Sequence, residues 1–70
     1  MASPWSKVEA REKVEEVFRS HDYPISAVWI ANKTEMTKKD VNGMLYQMLK
    51  EGAVEKLEEM SPVLWRLTDT

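Results

Sequence analysis

The apolar residues of this chain change period at Gly52, and that change limits the folds open to it. Before Gly52 they recur every three or four residues. Ala10, Val14, Val17 and Phe18 share one helical face, and Val41, Met44, Leu45, Met48 and Leu49 share another. After Gly52, Val54, Leu57, Leu64 and Leu67 fall in two short segments that suit strands, joined by the tight connection Glu59-Met60-Ser61-Pro62. Helices first and a hairpin last, within 70 residues, predict an α+β winged helix-turn-helix: three helices and a small C-terminal β-hairpin wing.

Capping residues set the helix boundaries. Ser6 followed by Glu9 is a capping box for the first helix, and Trp5 and Ala10 occupy the positions of a hydrophobic staple around it. That helix fades at Ser20-His21-Asp22, and Pro24 closes the stretch. Ile25 suits a single ladder pairing. Ser26 caps a short second helix with Ala27, Val28, Ile30 and Ala31 available for packing, and Trp29 reads as a core or inter-helix residue. Thr37 is the N-cap of the third helix, Asp40 sits near its positive end, and Met36 is placed to staple Val41. Gly52 is its stop. His21 reads as a solvent-facing helix end. The methionines after Met1 read as core filler.

Composition removes several functions. There are no cysteines and one histidine, so neither a disulfide nor a metal site is expected. No Ser-His-acid set and no phosphate-binding glycine loop is present, so no catalytic residue and no cofactor are expected. No apolar run is long enough to cross a membrane and no signal-peptide pattern opens the chain, which predicts a cytoplasmic or nuclear setting. Residues 1–70 are expected to form one domain, with its core at about 6–68, as a module of a longer protein. The net charge of −2 is spread evenly, with six acids and five bases in each half. A bulk electrostatic nucleic-acid binder has an excess of Lys and Arg, so any positive surface here must be local.

The third helix supplies such a surface. Lys38, Asn42 and Tyr46, spaced i, i+4, i+8, form a line beside the core stripe, with Lys39 adjacent. The wing adds Ser61, Pro62 and Trp65. Ammonium groups suit phosphates as point charges, an amide both donates and accepts, and proline offers a rigid apolar contact. Each has an ordinary reading too. Lysines at a helix start are commonly just solvated, Trp65 alone reads as a core residue of the last strand, and the Tyr46 ring could fold over the core edge.

The pattern Lys38-Lys39-x-x-Asn42-x-x-x-Tyr46, followed by Ser61-Pro62-x-x-Trp65, resembles the Zα family, winged helices that bind left-handed Z-form DNA and RNA. The resemblance covers residues 6 to 68. It implies that Lys38 and Asn42 contact phosphates, Asn42 partly through water, and that Lys39 adds a further contact. It implies that Tyr46 packs on a syn guanine, that Trp65 supports Tyr46 edge-on and reaches a phosphate through water, and that Ser61 and Pro62 touch the backbone. The partner it implies is Z-form double-stranded DNA or RNA, with two domains able to share one duplex. Two positions depart from the pattern: Gly43, where arginine is common, and Val63, where a second proline is common. With Glu58 and Glu59 beside the wing, they imply weaker binding than in the strongest members. The competing expectations are a winged helix used for protein contact or dimerisation, and an ordinary B-DNA reader.

Overall fold

The computed structural model describes residues 6–68. In chain order it contains α1 (Lys7–Arg19), β1 (Ile25–Ser26), α2 (Ala27–Thr34), α3 (Lys38–Lys50), β2 (Val54–Leu57) and β3 (Leu64–Leu67). Each helix begins where its cap predicts. The Ser6 hydroxyl accepts the Glu9 N–H at 3.1 Å and donates to the Glu9 carboxylate at 3.2 Å, so the capping box closes through the hydroxyl. Ser26 accepts the Trp29 N–H at 3.2 Å and Thr37 accepts the Asp40 N–H at 3.1 Å. Each such cap contributes about 1 kcal/mol relative to alanine. The Trp5 staple lies outside the described residues.

Gly52 ends α3 as expected. Its φ is +78°, in the left-handed region that glycine reaches without a Cβ clash. That turn directs the Ala53 N–H back to the Met48 carbonyl at 2.8 Å and the Gly52 N–H to the Leu49 carbonyl at 3.0 Å. This pair of bonds is a Schellman motif, and it sends the chain directly into β2.

The wing is tied into a three-stranded antiparallel sheet, ordered β1-β3-β2. Ile25 pairs with Trp65 and Ser26 with Leu64, so β1 contributes two pairings where the sequence suggested one. Ser26 therefore pairs in the sheet and caps α2 at once. On the other side of β3, Val54 faces Leu67 and Lys56 faces Trp65. Alternation puts Val54, Lys56, Trp65 and Leu67 on the face toward the helices, while the Glu55–Arg66 pair points away.

The core joins the α1 stripe (Ala10, Val14, Phe18) to Ile30 of α2, to Val41, Leu45 and Met48 of α3, and to Val54 and Trp65 of the sheet. Met36 and Val41 are both buried in this cluster. Thr34 is buried as well. Its hydroxyl donates to the Ile30 carbonyl at 2.8 Å and accepts the Met36 N–H at 3.3 Å, which shapes the short turn into α3.

Four expectations are corrected. Val28 and Trp29 are exposed, because α2 buries the Ala27–Ile30–Thr34 face instead. Met60 is exposed at the tip of the wing, beyond the reach of the core that takes Met36, Met44 and Met48. His21 is half-buried rather than solvent-facing. Its Nδ1 lies 2.8 Å from the Val17 carbonyl, and its ring meets Tyr23 and Trp29 edge-on at 5.4 and 5.7 Å. Lys33 stands over the Trp29 ring, 4.9 Å from its centre.

Candidate nucleic-acid interface

Lys38 and Lys39 open α3, where they face the positive end of the helix dipole. Cations there oppose folding slightly, so their placement favours an anion rather than stability. Neither side chain has a hydrogen bond or an ion pair among the described residues. Asn42 lies one turn further on and is half-buried rather than fully exposed. Tyr46 lies one turn beyond that.

Lys38, Asn42 and Tyr46 form one wall of a shallow groove of about 240 Å³. The start of α2 forms a second wall, through Ser26, Ala27 and Val28. The wing forms the third, through Lys56, Pro62, Val63 and Trp65. Five of the seven expected site residues therefore meet in one place. Lys39 lies outside this groove, on the next line of α3, and Ser61 is exposed at the wing tip beside Pro62.

Trp65 and Tyr46 divide two roles between them. Trp65 is 3% exposed and belongs to the core, whereas the Tyr46 ring is 50% exposed. Their rings meet at 5.4 Å and 85°, an edge-to-face pair. The indole meets the phenol at a right angle, and half of the Tyr46 surface stays exposed. Both readings of Trp65 hold at once: it is a core residue and it sets the angle of the site's aromatic.

Lys56 is the residue that sequence reasoning missed. Its ammonium donates to the Tyr46 hydroxyl at 2.8 Å and stands 4.9 Å over the Tyr46 ring and 5.8 Å over the Trp65 ring. The phenol hydrogen bond, more than any other group, raises the Lys56 pKa above the ordinary lysine value. The available signal was the strand period, which puts Lys56 two residues from buried Val54 and directly opposite Trp65.

The charges elsewhere are arranged differently. Arg11 binds Glu15 at 3.1 Å and also bonds Glu51, Arg19 reaches Glu15 at 3.3 Å, and Arg66 holds Glu55 at 2.9 Å. The Arg11 hydrogen bond is the main reason that Glu51 sits below the usual glutamate pKa. All three arginines are thus engaged, while the lysines of the first turn of α3 are not. Among the described residues no group of three or more His, Asp and Glu side chains is placed to hold a metal, and no helix is long and apolar enough to cross a membrane.

The model of the adenosine deaminase z-alpha domain matches residues 7–70. The chain belongs to the Zα family. The crystal structure of the Zα domain from Carassius auratus PKZ in complex with Z-DNA superposes with a TM-score of 0.78 at 22% identity, covering 89% of this chain and 97% of that one. A viral Zα domain bound to left-handed Z-DNA superposes with a TM-score of 0.74 at 23% identity, covering 89% of this chain and 90% of that one. At these identities the likeness carries the Zα fold. No curated protein matches the sequence.

Proposed function

We propose that this Zα domain binds left-handed Z-form double-stranded DNA or RNA, selecting conformation rather than sequence. The observation that carries the reading is the Tyr46–Trp65 pair: a half-exposed ring propped edge-on by a buried indole, in line with Lys38 and Asn42. The two solved structures named above are complexes with Z-DNA.

In this reading the exposed part of the Tyr46 ring packs on a syn guanine. Lys38 and Lys39 neutralise phosphates, and the Asn42 amide bonds a phosphate oxygen, partly through water. Pro62 and Ser61 touch the backbone from the wing. Trp65 fixes the Tyr46 ring. Lys56 adds a cation at the mouth of the groove, because its ammonium lies over both rings. The zigzag of the Z-form backbone, rather than base edges, is what these groups read. The domain binds and performs no reaction.

The test is circular dichroism of an alternating CG duplex titrated with the protein. Inversion of the long-wavelength bands is expected. Binding without inversion points to a B-form reader, and no binding points to a protein-contact module. The exposed Tyr23 and Trp29 rings, both packed on the half-buried His21, favour that last reading for their own face of the molecule.

A further inference from the structure

A second hollow lies beside α3, next to the groove already described. It is a trough of about 350 Å³ between the start of α1 and the line Lys39, Gly43, Gln47 of α3. Its floor is open because Gly43 has no side chain, and nothing lies within 4 Å of where a Cβ would stand. Two lysines line it, Lys7 from α1 and Lys39 from α3, against one carboxylate, Asp40. Neither lysine has an ion pair or a hydrogen bond among the described residues. Two lysines without a partner among the described residues, lining one trough, suit a phosphate.

We infer that Lys7 and Lys39 hold a backbone phosphate of the bound duplex in the trough over Gly43, extending the contact surface from α3 onto α1. The inference rests on the Z-form reading above. Helix geometry supports it, since Lys39 and Gly43 lie about 100° around α3 from Lys38 and Asn42, on the flank next to the proposed contact line. A duplex lying along that line passes the mouth of the trough. The missing side chain at Gly43 gives Lys7 access to it.

The experiment is the salt dependence of Z-form binding to an alternating CG duplex, compared for the unmodified chain, Lys7→Ala, Lys33→Ala and Lys7→Ala/Gly43→Arg. Lys33→Ala removes the same charge from the far end of α2. With Lys39 still on the shared phosphate, Lys7→Ala should lower the slope of log K against log salt by less than the roughly 0.9 of a whole phosphate contact. Binding at low salt should weaken several-fold, with Lys33→Ala unchanged and the double variant restored. Equal losses in Lys7→Ala and Lys33→Ala would reduce the effect to net charge and overturn the inference. So would an unaltered Lys7→Ala, or a double variant that stays weak. An unmodified chain that binds no Z-form duplex refutes the functional reading, and this inference with it. A chain that binds it, with Lys7→Ala indistinguishable, refutes this inference alone.

Discussion

Replacing Tyr46 separates its part in the fold from its part in the site. The ring is 50% exposed, so Tyr46→Ile removes little from the core. The main internal loss is the edge-to-face pair with Trp65, worth about 0.5–1.5 kcal/mol. At ~4–8 °C per kcal/mol for a domain of this size, Tm should fall by about 2–12 °C and the chain should stay folded at 25 °C. The loss in binding should be larger. A base–aromatic contact contributes roughly 1–3 kcal/mol, so affinity for the Z form should fall about 5- to 150-fold. Tyr46→Phe is the control. It keeps the ring and the Trp65 contact and loses only the hydrogen bond from Lys56, which is exposed to solvent and of small net worth. Its Z-form affinity should stay close to that of the unmodified domain. Thermal melts and duplex titrations on the same samples measure both quantities. If Tyr46→Ile melts as expected yet binds the Z form as well as the unmodified domain, the ring does not meet a base and the proposed contact line on α3 is wrong. If Tyr46→Ile fails to fold, the ring is a core element and its exposure has been misread.

Asn42→Ala should abolish Z-form binding while leaving Tm unchanged or slightly raised, since the amide has no hydrogen bond among the described residues and alanine favours the helix; a large drop in Tm would make Asn42 structural. Gly43→Ala should raise Tm by ~4–8 °C, because the site is open and glycine in a helix interior costs about 1 kcal/mol relative to alanine; a lower Tm would mean that the trough does not admit a methyl group. Glu51 has a folded pKa below its unfolded one, so its contribution to stability is present above the ordinary glutamate range and is lost as pH falls through the depressed value. The Tm of Glu51→Gln should therefore lie below that of the unmodified chain at neutral pH and converge with it in acid, and a gap that persists in acid would contradict the sign.

The parts of this domain that were legible in its sequence are those that one element decides alone. The caps at Ser6, Ser26 and Thr37 act within a few residues, and each is where it was expected. The line Lys38–Asn42–Tyr46 needs only the helix period, and those three residues share a wall of the groove. What failed required two elements at once. Five consecutive apolar residues open α2, from Ala27 to Ala31, so no period selects the buried face. The choice falls to Thr34, whose hydroxyl is satisfied by the Ile30 carbonyl and can therefore enter the core, leaving Val28 and Trp29 outside. Lys56 was missed for a similar reason. Its role depends on the strand register that sets it against Trp65, and that register is fixed by how β3 docks on β1 and β2.

The acidic balance of the chain, which seemed to argue against an anionic partner, loses its force once the pairings are known. At physiological salt an exposed charge is felt over about 8 Å, so a phosphate responds to its neighbours and not to a net charge of −2. Glu15, Glu51 and Glu55 are occupied by arginines on α1 and on the outer face of the sheet. The acids thus neutralise the guanidinium groups, which otherwise offer bidentate contacts to any phosphate, and leave the lysines at the start of α3 without an ion pair among the described residues. Two acids do reach the contact surface: Asp40 lines the trough beside Lys39, and Glu58, on the wing, lies 3.7 Å from the Lys56 ammonium but is 76% exposed. So exposed a pair holds weakly, and a phosphate arriving at the groove competes for Lys56 on favourable terms. The wing therefore tempers the positive surface at one point without closing it, which fits a binder that recognises the shape of a backbone through a few placed cations rather than through bulk charge.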